Sequence, residues 1–238
     1  MRSRSSRPST ALLFTCEHGG NSVPHRWAAL FRGHEEALSS HRGYDIGAAE
    51  VAELMAAAFG APLFVARASR LLVDLNRSPH HPRRFSEVTR ALSRGEREHI
   101  EREHYTPHRA AVKDAIRAAL RSSRSVVHVA VHSFTPVLGG VTRRADVGLL
   151  YDPSRKAERA LSGAWQASLG RVAPAFVVRR NYPYRGAADG LTTALRKIHR
   201  ASRYVGIELE MNQARLGSRR DQERMARVLV ASLEAALG

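Results

Sequence analysis

Apolar positions in this chain fall into short runs that alternate with helical patterns. The run over residues 11–16 breaks at Glu17-His18-Gly19-Gly20, which predicts a strand opening into a glycine-rich loop. Asp45-Ile46-Gly47-Ala48 starts an alanine-rich helical stretch, with Ala49, Leu54 and Phe59 near one face and Gly60 as its stop. Strands are expected over residues 62–66 and 71–75, and a charged helix from about Ser93 through Leu120 with a break at Pro107. The valine-rich run 126–131 reads as a buried strand ending directly at His132-Ser133. Beyond the Gly139-Gly140 loop come a strand over 147–151, a helix over 154–169 capped by Ser154, a strand over 176–178, a helix over 190–201, a buried strand over 204–209, and a helix from about Arg219 to Leu237. This alternation predicts one α/β domain with a mainly parallel sheet spanning residues 11–238. The Arg/Ser-rich residues 1–10 read as a disordered tail, and Ser78 to Phe85 as a surface loop.

Composition sharpens the picture. With 238 residues, 43% of them hydrophobic, the chain can close a substantial core. No apolar stretch approaches the roughly 20 residues of a membrane span, and the apolar start is shorter than a signal core of about 7–15 residues. The single cysteine, Cys16, has no internal partner, so a reducing, cytoplasmic location is expected. A net charge of +16 makes nucleic acid the first partner to consider. The arginines are scattered over polar helix faces, however, with no helix-turn-helix, zinc-finger or RNA-binding pattern. Solvated faces are the preferred reading, with polyanion binding the alternative.

In open α/β sheets, ligands bind beyond the carboxyl ends of strands. Polar residues there are Glu17-His18, Asp74 to Arg77, His132-Ser133 and Glu208-Leu209-Glu210. Two histidines and a carboxylate are the ligand set of a catalytic zinc that keeps one position open. His18 and His132 fit, with Asp45 preferred over Glu17 as third ligand because Glu17 points to the other side of the backbone from His18. Glu208 and Glu210 share a strand face, and either is placed to move protons. Arg77 suits capture of a substrate carboxylate, with Arg70 and Arg144 as further candidates. Asn181-Tyr182-Pro183-Tyr184 forms a polar-aromatic loop. Each has an ordinary structural alternative: a loop histidine, a core histidine, an N-cap for Asp45, surface arginines, a turn. His80 and His81 lack a fixing carboxylate, and His104, Tyr105 and His108 read as a solvated helix face.

Taken in order, Cys16-Glu17-His18-Gly19-Gly20-Asn21-Ser22-Val23-Pro24, Tyr44-Asp45-Ile46-Gly47, Ser69 to Pro79, Val131-His132-Ser133-Phe134, Asn181 to Tyr184 and Gly206-Ile207-Glu208-Leu209-Glu210 resemble the N-formylglutamate amidohydrolase family over roughly residues 11–215. The resemblance implies kinship with zinc carboxypeptidases and amidases: a three-layer α/β sandwich, phosphorylase/hydrolase-like, with a mainly parallel or mixed sheet and zinc at the strand ends. It further implies hydrolysis of a small, carboxylate-bearing N-formyl or N-acyl amide. Its implied site places His18, Asp45 and His132 on the metal and Glu208 as catalytic carboxylate; the residues themselves suggest Arg77 on the substrate carboxylate, with Asn181 and Tyr184 helping to orient it. Asn21 departs from the carboxypeptidase pattern, which has a glutamate three positions after the first histidine. A larger amide, such as a peptidoglycan peptide, is the alternative substrate.

Overall fold

Residues 10–238 are described by a computed structural model. In chain order the elements are β1 (Thr10–Cys16), a 3-10 turn (His25–Phe31), α1 (Glu35–Ser39), α2 (Ala48–Phe59), β2 (Leu63–Val65) and α3 (Arg94–Ile100). A π-helical turn over Glu101–Tyr105 leads into α4 (Thr106–Ser122), followed by β3 (Ser125–Phe134), a hairpin of β4 (Val137–Leu138) and β5 (Val141–Thr142), and β6 (Val147–Leu150). The chain ends with α5 (Lys156–Val172), β7 (Val178–Arg180), α6 (Leu191–Ile198), β8 (Tyr204–Asn212), a short 3-10 turn and α7 (Arg219–Leu237). Thr10 opens β1, one residue before the expected start, and the rest of the expected tail lies outside the described residues.

The main sheet has the order β2-β1-β3-β8-β6-β7. β2, β1, β3 and β8 run parallel, whereas β6 pairs antiparallel with β8 and carries β7 parallel to itself. The sheet is therefore mixed, between helical layers. Strand parity gives its two faces opposite characters. Phe14 and Cys16, Val127, Val129 and Val131, Ile207, Leu209 and Met211, and Val147 and Leu149 join α2, α5 and α7 in one apolar core, with Trp165 and Leu229 fully buried. The opposite face, under α4 and α6, presents Thr15 on β1 and Glu17 just past its end, His128 and His132 on β3, and Glu208 and Glu210 on β8. Nearly all the chemistry sits there.

Local departures from the expected elements have clear causes. Leu54 is 38% exposed on α2; the buried stripe is Ala48, Ala49, Val51, Ala52, Met55 and Ala56. Residues 71–75 form no strand. Leu71, Leu72, Val73 and Leu75 instead pack with Trp27, Phe31, Ile100 and Tyr105, and their backbone is satisfied by Ser86 and Thr89 hydroxyls on the Leu71 and Leu72 carbonyls and by the Arg84 carbonyl on Asp74 N–H. Pro107 does not break the helix: it lies in the first turn of α4, where its missing N–H is tolerated, and the irregularity falls just before it in the π-helical turn. Ser154 bonds Asp152 rather than capping α5, which starts after Arg155. α3 has a capping box of Ser93 and Glu96, and Ser218 caps α7. Among the described residues no helix is long and apolar enough to cross a membrane.

Candidate active site

The carboxyl ends of β1 and β3 bring His18 and His132 together, their rings 5.1 Å apart between centroids. The loop after His18 can lie against the segment following β2 because Gly20 has no side chain: a Cβ there would lie 2.3 Å from the Arg67 carbonyl oxygen. Asp45 enters from the turn before α2, its N–H bonded to the His18 carbonyl, and Gly47 rather than Asp45 occupies the helix N-cap. Asp45 Oδ2 lies 2.8 Å from His132 Nδ1, 3.3 Å from His18 Nδ1 and 3.4 Å from the Ser133 backbone nitrogen. One ligand atom from each of His18, Asp45 and His132 lies within 4.8 Å of the others, all three residues buried, so this cluster can hold a metal ion.

The other side of each imidazole faces its own carboxylate. His18 Nε2 donates to Asp74 Oδ1 at 2.7 Å, and Asp74 Oδ2 accepts from Arg70 at 2.8 Å. His132 Nε2 lies 3.1 Å from Glu17 Oε2, and Glu17 Oε1 lies 3.8 Å from His108 Nε2. Both Nδ1 atoms thereby point at Asp45. Outer carboxylates that fix ring orientation and tautomer are the usual support of metal-ligating histidines. The donor set and its backing thus suit a divalent metal such as zinc.

Electrostatics agrees with the geometry. Burial works against the carboxylates of Asp45, Glu17 and Asp74, yet all three are held below the usual carboxylate range: Asp45 by His18 and His132, Glu17 by His108 and His132, Asp74 by Arg70 and His18. Burial also opposes a charged His132, but Asp45 and Glu17 raise its pKa well above the ordinary histidine value.

Glu208 and Glu210 have different surroundings. The Glu208 side chain accepts from Thr192 on α6. Glu210 stands opposite His132 in the β3–β8 register, is buried, and its Oε2 has no hydrogen-bond partner among the described residues. Burial pushes its pKa up to about 8, with Asp45 adding to the rise and His132 opposing it. Next to it on β6, Gly148 leaves room for the Tyr182 carbonyl, which would stand 1.9 Å from a Cβ. The chain reaches this position by reversing at Asn181, whose φ is 51°. Asn181 Oδ1 accepts from Tyr151 N–H and Gly186 N–H, so this side chain braces its loop. Tyr184 is exposed, its hydroxyl bonded to Arg143, and Arg144 is exposed.

Arg70 and Arg77 line a cavity of about 350 Å³ together with Arg42, Arg83, Arg90 and Asp74. The pairing of Asp74 with His18, and of Glu17 with His132 and His108, was not legible in the sequence. Tyr105 and His108 do not form a solvated face: Tyr105 is buried with its hydroxyl donating to the Arg77 carbonyl, and the His108 side chain is 10% exposed.

Fold and site together define an α/β protein of the enzyme type, with a buried histidine–carboxylate centre where parallel strands end. The family model for N-formylglutamate amidohydrolase matches residues 10–216, and the chain belongs to this family of amide-bond hydrolases. Among solved structures it is similar to the gene product Atu2144 from Agrobacterium tumefaciens, with 30% identity, 95% of this chain and 90% of that one covered, and a TM-score of 0.82. It is also similar in fold to N-formylglutamate amidohydrolase from Ralstonia eutropha JMP134, with 19% identity, 96% and 93% coverage, and a TM-score of 0.71. No curated protein matches the sequence closely.

Proposed function

We propose that the protein is a zinc-dependent amidohydrolase acting on a small, carboxylate-bearing N-formyl or N-acyl amino acid. The observation that carries this reading is the convergence of His18 Nδ1 and His132 Nδ1 on Asp45, with each ring's second nitrogen held by a separate buried carboxylate. His18, Asp45 and His132 would hold the zinc ion, which would supply Lewis acidity toward the acyl carbonyl and the attacking water. Arg70 fixes Asp74, and Asp74 fixes the His18 ring.

Proton transfer falls to Glu210 rather than Glu208. Glu210 faces His132 with an unpartnered oxygen, whereas Glu208 is engaged by Thr192. Its carboxylate takes the proton of the attacking water and returns it to the leaving amine. Arg77 holds the substrate carboxylate in the arginine-lined cavity, and the exposed Tyr184, its hydroxyl bonded to Arg143, helps to orient the substrate. Asn181 acts indirectly, by holding the loop that carries Tyr182 and Tyr184. A cytoplasmic location fits the free, buried Cys16.

Elemental analysis combined with hydrolysis of an N-formyl and N-acyl amino acid panel, with and without chelator, tests this. Near-stoichiometric zinc and chelator-sensitive amine release are expected. Absence of metal after reconstitution, or turnover indifferent to chelation, overturns the proposal.

A further inference from the structure

Glu17 is 1% exposed at the end of β1, and neither carboxylate oxygen receives an aligned hydrogen bond among the described residues. A buried carboxylate without water needs polar partners around it. The groups it faces are two imidazoles: His132 from β3 on Oε2, at 3.1 Å, and His108 from α4 on Oε1, at 3.8 Å. His108 Nε2 and His132 Nε2 are themselves buried without another hydrogen-bond partner.

The placement of His108 follows from the helix that carries it. The π-helical turn over residues 101–105 changes the angular register of the side chains that follow, and such turns recur at functional sites. Tyr105, the last residue of that turn, and Arg109 in α4 grip the loop bearing Asp74: the Tyr105 hydroxyl donates to the Arg77 carbonyl at 2.8 Å, and Arg109 to the Leu75 carbonyl at 2.9 Å. The start of α4 is thus fastened to the loop supporting His18 and, through His108, meets the carboxylate supporting His132.

We infer that His108 is a positioning residue: by holding Glu17 from the side opposite His132, it fixes the His132 ring with Nδ1 turned toward Asp45. This rests on the metal-site reading. His108 acts through Glu17 and touches neither the ion nor the substrate.

The test is titration of Co²⁺ alone into the metal-free full-length protein, read by visible absorption, for wild type, Glu17→Gln, His108→Asn, His108→Gln and the double variant Glu17→Gln/His108→Asn. The asparagine is polar but too short to reach Glu17; the glutamine amide matches the reach of Nε2. His108→Asn and Glu17→Gln should each weaken Co²⁺ binding by roughly 10–100-fold. The double variant should bind no more weakly than Glu17→Gln alone, because one residue acts through the other, and His108→Gln should recover most of the affinity. Wild-type affinity in His108→Asn, losses that multiply in the double variant, or a glutamine as weak as the asparagine overturns the inference. Wild-type protein that takes up no cobalt overturns the metal reading itself.

Discussion

His18 and Asp74 form a buried pair in which the imidazole Nε2 donates to the carboxylate at 2.7 Å, leaving Nδ1 directed at Asp45. The tautomer follows, because an ionised carboxylate only accepts. Asp74→Asn should therefore weaken zinc binding by roughly 10–100-fold with little change in secondary structure. Competition with a chromophoric chelator measures this, and unchanged affinity would show that the ring needs no such support.

The two glutamates of β8 should separate cleanly. Glu210→Gln is expected to lower kcat by roughly 10²–10⁴-fold while metal content stays at wild-type level. Glu208→Gln keeps an acceptor for Thr192 and should change kcat only a few-fold. The reverse order of effects would return the proton-transfer role to Glu208.

Arg77→Met should raise KM about tenfold or more, the worth of a charge-assisted contact, with a much smaller effect on kcat. Steady-state kinetics on a carboxylate-bearing substrate and on its amide-capped analogue checks the assignment. If Arg77 binds the carboxylate, the capped substrate should lose the difference between variant and wild type.

His128 gives a prediction about stability. It lies between Thr15 and the Tyr204 hydroxyl, and burial lowers its pKa from 6.5 to about 4. Between those values the unfolded chain binds a proton that the folded one does not, so stability is full above the unfolded value and falls as pH drops. The loss approaches about 1.4 kcal/mol per pH unit and about 3 kcal/mol in total for this group. Chemical denaturation of His128→Gln from pH 4 to 6.5 should show a correspondingly shallower slope. A slope equal to wild type would mean that His128 is not held neutral.

Much of this architecture could be read locally. β1, β3 and α7 announce themselves through apolar runs or helical periodicity that tertiary structure leaves intact, and His18 and His132 stand out because each comes where a buried apolar run gives way to polar residues, His132 within the last residues of β3 and His18 two residues past β1. Residues 71–75 misled because an apolar run records burial, and here burial comes from packing on Trp27 and Tyr105 instead of sheet pairing. His108 was unreadable for a related reason. A helical pattern does not reveal that a buried glutamate from a strand some 90 positions earlier lies beneath it. The reversal of β6 and β7 was equally hidden, since a strand's direction in the sheet depends on the path of its connections rather than on its own residues.

The unequal faces of the sheet divide the tasks of the chain between separate sets of residues. Substitutions in the α2, α5 and α7 layer alter resistance to heat or denaturant at a distance from the reacting groups, so variants selected there for robustness should retain their substrate preference. Diversification under α4 and α6 would trade one chemistry for another on an unchanged frame. A laboratory seeking a hardier catalyst and one seeking a new specificity would thus mutate opposite sides of the same six strands.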